Sequence, residues 1–143
     1  MKAYRWMSKK EFQKLMAGCD ITVVRRRRTT RTTGKGIFFF PEDYFKTWMT
    51  DFPDFLSKQP SPEFSSKFLS GIVSQDVLVE FAVQCEPEIS YGVYANPYTG
   101  DWDDYIEVDE LCVPFYNRET MVPVRYFIQD SIYNSITGTW YAC

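Results

Sequence analysis

Apolar residues recur along this chain with two different periods, and the change of period marks its elements. Ser8-Lys9-Lys10-Glu11 has the form of a capping box, in which the Ser8 hydroxyl accepts the Glu11 N–H. Phe12, Leu15 and Met16 follow at helical spacing, and Gly18 sits where a C-terminal cap belongs, so a helix is predicted over 8–17. Tyr4-Arg5-Trp6, ahead of it, reads as a short edge strand, and the β-branched Ile21–Val24 reads as extended. The run Ile37–Phe40 is apolar without interruption, which fits a strand buried on both faces. Pro41 is placed to open a second helix, with Glu42 and Asp43 in its first turn and Tyr44, Phe45, Trp48 and Met49 on its inner face.

Asp51–Ser61 is broken by Pro53 and Pro60 and reads as loop. Ser61-Pro62-Glu63 starts a third helix, with Phe64, Phe68 and Leu69 inward and Gly71 near its end. Val77–Val83 is the clearest strand and is expected to be central. Ser90–Tyr94 is a weaker strand that stops at Asn96-Pro97. In Tyr105–Asp109 the alternation puts Glu107 and Asp109 on one side, Ile106 and Val108 on the other. Val122–Ile128 is a further strand, with Pro123 at its start, and 131–143 is left open as a terminal strand or a tail. Few helices and several short strands in mixed order give an α+β class, expected as a single domain over 1–143.

Charge changes the picture more than composition does. Arg25, Arg26, Arg27, Arg28, Arg31 and Lys35 fall within eleven residues that hold no acid, so a chain of net charge −3 carries −9 elsewhere. Asp101, Asp103, Asp104, Glu107, Asp109 and Glu110 form an opposite, acidic stretch. The basic segment has too little apolar content for a core and reads as a solvated loop or polar hairpin, with three uses open. It is a plain surface loop, a nucleic-acid contact through backbone phosphate, or a site for phosphate or an acidic protein partner. No aromatic residue interleaves with the arginines, so base stacking there is not expected.

Twelve Phe, ten Tyr and four Trp supply a large core, some of it available to line a groove. The four cysteines, Cys19, Cys85, Cys112 and Cys143, show no close pairing, which suits a reducing compartment and a cytoplasmic protein. No apolar leader follows Met1-Lys2, and no run approaches the ~18 apolar residues of a membrane span. The chain has no histidine, which excludes Ser-His-Asp and Cys-His catalysis and His-containing zinc sites; no metal is expected. Thr33-Gly34-Lys35-Gly36 fails as a P-loop, because Thr29 stands at the first glycine position and Gly36 replaces the Ser or Thr. A calcium loop from Asp101 fails at Ile106 and Cys112.

Tyr4-Arg5 before a capped helix, Gly36-Ile37-Phe38-Phe39-Phe40 before a second, and the late Tyr105-Ile106-Glu107-Val108-Asp109 together resemble small ADP-ribosyltransferase-like domains, over residues 4 to 128 or so. The resemblance implies a split, mixed or antiparallel β-sheet with flanking helices, whose cleft binds NAD. It implies that Arg5 holds the cofactor phosphates and that Glu107 bonds the nicotinamide ribose and stabilises the oxocarbenium-like cation formed when nicotinamide leaves. It further implies that Asp109 orients the acceptor and that Phe40 and Tyr44 stack the nicotinamide. The sequence departs from the family in having no histidine of the His-Tyr-Glu class and no clean Ser-Thr-Ser; Ser90-Tyr91 and Thr32-Thr33 are poor substitutes, and Glu110 competes with Glu107 for the glutamate. The functions left are therefore mono-ADP-ribosyl transfer to a macromolecular target, or a non-enzymatic interaction protein, such as a small phage or mobile-element inhibitor. The latter would grip a host protein or nucleic acid through Arg25–Lys35.

Overall fold

The computed structural model describes residues 1–25, 35–43, 77–94, 103, 106–131 and 137–143. These form β1 (Lys2–Met7), α1 (Lys9–Met16), β2 (Val24–Arg25), β3 (Lys35–Pro41), β4 (Val77–Val83), β5 (Glu88–Tyr94), β6 (Ile106–Val113), β7 (Met121–Ser131) and β8 (Thr137–Ala142). The strands make one eight-stranded sheet in the order β5-β6-β3-β1-β4-β7-β8, with β2 joined to β3. Every described ladder is antiparallel, one of the two pairings that the resemblance implies, and no mixed pairing is seen among the described residues. The broad α+β class holds, with α1 as the one complete helix among the described residues and a further helical start at Glu42 and Asp43. The expected helices at 41–49 and 61–71 fall largely or wholly outside the described residues.

The start of the chain forms as its residue types dictate. The Ser8 hydroxyl accepts the Glu11 N–H at 3.1 Å and caps α1. Gly18, at φ +106°, closes the helix, with Gly18 N–H donating to Leu15 O and Cys19 N–H to Lys14 O. This double bond pattern is the Schellman motif, and it meets carbonyls that α1 would otherwise leave bare.

Alternation then sorts side chains between two faces. On the helix side, Ala3, Met7, Ile37, Phe39, Val77, Val79, Phe81, Val83, Leu111, Val113 and Met121 pack with Leu15 of α1. Phe81 sits at the centre, edge-on to Phe39 at 5.3 Å and to Tyr116 at 6.4 Å. On the other side Tyr4, Trp6, Leu78 and Phe127 form a second cluster, with Phe40 and Trp140 against it. β4 is buried on both faces and matches the expected strand end to end.

Four readings change. Tyr4–Trp6 belongs not to an edge but to β1, which pairs with β4 along its whole length and with β3 at Ala3 and Tyr4. Of Ile21–Val24 only Val24 enters a strand. Pro41 ends β3 and the backbone turns helical at Glu42, since a strand's last residue can lack an N–H donor as readily as a helix's first. Pro123 lies inside β7 beside a bulge, not at the strand's start: Glu80 faces Arg125 while Phe81 faces Pro123, so Val124 is the extra residue. The last open reading resolves into β8, paired to β7.

Candidate functional site

Arg5 projects from β1 toward the N-terminal turn of α1. Its Nη1 donates to the Phe38 carbonyl at 2.9 Å and its Nη2 meets Glu11 Oε1 at 3.4 Å, so the guanidinium ties β1, β3 and α1 together. It also lines an open cleft of about 300 Å³ between α1 and residues 19–22, along with Lys10, Glu11, Lys14, Cys19 and Asp20. That volume lies at the small end for ligand pockets. Asp20 is engaged by Arg118 at 2.9 Å.

The carboxylates assigned to catalysis stand elsewhere. Glu107 occupies the register position opposite Val93 and Asp109 the one opposite Tyr91, on β6. Asp109 is exposed and Glu110, the competing glutamate, is fully buried. Phe39 pairs with Leu111, and the β1·β3 ladder ends at the Tyr4–Phe40 pair, one residue short of Arg5. Glu107 lies four residues along β6 from Leu111, and β3 stands between β6 and β1 in the strand order. Phe40 is half-buried on the opposite face from Arg5, packed against the Tyr4 cluster. Tyr44, Arg26, Arg27, Arg28 and Arg31 lie outside the described residues. Arg25 and Lys35 face each other across the β2·β3 ladder.

The best-formed polar constellation is one that sequence reasoning missed. Tyr4, Glu80 and Arg125 are register partners on β1, β4 and β7, so three strands deliver them to one transverse row. Tyr4 Oη donates to Glu80 Oε1 at 2.9 Å, and Arg125 Nε and Nη2 donate to the same oxygen at 3.1 and 3.0 Å. The Arg125 guanidinium lies over the Trp140 ring, 4.1 Å from its centroid. The bulge at Val124 sets this register and brings Arg125 to face Glu80.

Electrostatics follow from that packing. Burial pushes the Tyr4 hydroxyl up, and its hydrogen bond to Glu80 adds to this, raising it to about 12. Burial also pushes the Glu80 carboxyl up, but the hydrogen bonds from Arg125 and Tyr4 and the charges of Arg125 and Lys2 outweigh it and hold the group below its ordinary value. The carboxylate is thus ionised and saturated at Oε1, the arrangement of a buried structural ion pair more than of a poised acid or base. Glu80 in Val-Leu-Val-Glu-Phe-Ala-Val was the one available signal, a charge in an otherwise apolar strand.

Among the described residues no group of three or more acids or cysteines stands ready to hold a metal ion, and no helix is long and apolar enough to cross a membrane. Compared with known proteins, the chain matches no family, no curated protein and no solved structure.

Proposed function

We propose that this chain is a non-enzymatic interaction protein that engages an acidic surface of a protein partner through the basic segment Arg25–Lys35. One observation supports this reading above others: the two charged stretches start from opposite ends of the same ladder. Arg25 and Lys35 pair in the β2·β3 hairpin, so the arginines between them connect adjacent antiparallel strands. Ile37 pairs with Val113, which sets the Arg25–Lys35 pair beyond that end of β6, while Asp109 and Glu107 lie toward its other end. Six residues of strand separate the level of Lys35 from Asp109, about 20 Å, twice the ~8–10 Å over which salt lets surface charges act.

An acidic patch on a protein suits this distribution better than a nucleic acid does. A polyanion extends over many charges and meets the −9 carried outside the segment, whereas a compact patch can be met by the hairpin alone. A poly-glutamate peptide serves as probe in fluorescence anisotropy. Binding should weaken steeply with salt, fall at least ~10-fold when Arg25, Arg26, Arg27 and Arg28 are changed to Gln, and exceed binding to duplex DNA of equal charge. A salt-independent curve, or equal binding by the four-fold variant, refutes the reading.

NAD-dependent ADP-ribosyl transfer, with Arg5 on the phosphates and Glu107 and Asp109 at the nicotinamide ribose, is the second reading, favoured by the place of Arg5 beside a cleft. It requires the guanidinium to exchange Phe38 O and Glu11 for phosphate, and the sheet to bring Glu107 to the same ligand. Titration calorimetry with NAD separates the two: heat of binding lost in Arg5→Met supports transfer, and no heat removes it.

A further inference from the structure

We propose that β8 is a self-association edge, at which two copies of this chain join antiparallel about a two-fold axis and continue the sheet. The ladder fixes which backbone groups are offered. Arg125 and Ala142 are register partners, and Cys143 N–H donates to Val124 O at 3.0 Å. Ala142 therefore sits in a wide, non-bonded pair, which turns its own N–H and C=O away from β7; Gly138, four residues earlier, points the same way. Among the described residues no strand pairs with that side of β8, and Thr139, Ala142 and Cys143 are exposed. With the axis passing through position 140, Gly138 of each copy faces Ala142 of the other, for four backbone hydrogen bonds from these two positions.

The occupant is argued from charge and from the aromatic row that ends here. In a two-fold pairing every side chain meets its own kind or a near neighbour, so a single charge on the strand would oppose itself. Natural edges use such charges, and proline, to block self-pairing. The side chains of residues 137–143 carry no charge and none is proline, while the sheet's other edge, β5, opens with Glu88. On the helix side Phe12, Tyr126 and Tyr141 form an aromatic series, with 4.5 and 5.3 Å between successive rings, that runs to the edge and leaves Tyr141 48 % exposed. Two-fold pairing sets Tyr141 opposite the second copy's Thr139 and diagonal to the second copy's Tyr141, within reach of aromatic side chains. A six-residue edge falls below the ~1,200 Å² of standard interfaces, so the dimer is micromolar or weaker.

Sedimentation velocity from about 10 μM to about 1 mM tests this. The wild-type chain should shift from monomer to dimer, with hydrogen exchange at the Gly138 and Ala142 amides slowing as it does. Ala142→Pro removes an outward N–H but keeps the Cys143–Val124 bond, and the extended Tyr141 before it tolerates proline. Thr139→Lys adds like charges on an exposed position. Each variant, with circular dichroism and thermal midpoint unchanged, should associate at least ~10-fold more weakly; should the proline variant fail to fold, Thr139→Lys decides alone. A wild-type chain monomeric throughout overturns the proposal. So does a folded variant pair that associates as the wild type does, or association abolished by about 0.5 M salt, which would place it at the charged segments.

Discussion

Replacing Arg125 with Met should cost stability in a pH-dependent way. The substitution keeps an unbranched chain under Trp140 but removes both hydrogen bonds to Glu80, whose side chain is only 5 % exposed. Removing one partner of a buried pair costs about 3–5 kcal/mol, because the remaining charge is stranded. Arg125 is itself 39 % exposed, so water can reach part of the vacated space, and about 2–3 kcal/mol is expected at pH 7. In the wild type the Glu80 carboxyl lies below its ordinary 4.5. Its contribution is thus complete above that value and is lost as pH falls through the lowered one. Without Arg125, only Tyr4 and Lys2 still oppose the upward push of burial, so the carboxyl takes up its proton at higher pH than in the wild type and the variant gains relative stability as pH falls. The difference between the two proteins should shrink below ~1 kcal/mol near pH 4. Urea unfolding followed by far-ultraviolet circular dichroism at both pH values measures it. A penalty of equal size at pH 7 and pH 4 would show that packing on Trp140, and not the charge on Glu80, is what Arg125 supplies.

Three further outcomes follow from particular contacts. A Cβ at Gly36 would lie 2.6 Å from Cys112 Sγ and 2.7 Å from the Val113 carbonyl, so Gly36→Ala should cost about 1–3 kcal/mol and lower the thermal midpoint. Gly18→Ala meets no close atom but places an L-residue at φ +106°, which should cost about 1 kcal/mol by the same measurement. Tyr4 should ionise late in a spectrophotometric titration, at about 12, with the late step absent in Tyr4→Phe. Because that hydroxyl is raised, its contribution to stability is complete below about 10 and is lost as pH rises toward about 12.

The local elements were legible where local chemistry decides them. Ser8, Glu11 and Gly18 fix α1 through bonds within a dozen residues, and the apolar run of β4 announces burial by itself. β6 was read only as far as Asp109, because Glu110 interrupts the alternation; the strand runs on to Val113 with that glutamate buried. Sheet order was hidden, since β1 pairs with strands that begin 33 and 75 residues later and no period in the chain records such distances. The Tyr4–Glu80–Arg125 row was hidden for the same reason, each member being unremarkable on its own strand until register and a bulge align them. Arg5 drew attention in the sequence through the resemblance, as a holder of cofactor phosphates. Its partners, a carbonyl of β3 and a carboxylate of α1, depend on how the two elements dock.

The central place of β1 also sets an order of events during synthesis. The residues of β1 leave the ribosome before either neighbour has emerged, and only after Val83 has emerged can both of its ladders close. Until then Ala3, Tyr4, Trp6 and Met7 stay wet, a greasy hexapeptide with two open sides. A nascent chain stalled near residue 70 should therefore recruit a holdase chaperone at this first segment, and release it once the fourth strand arrives.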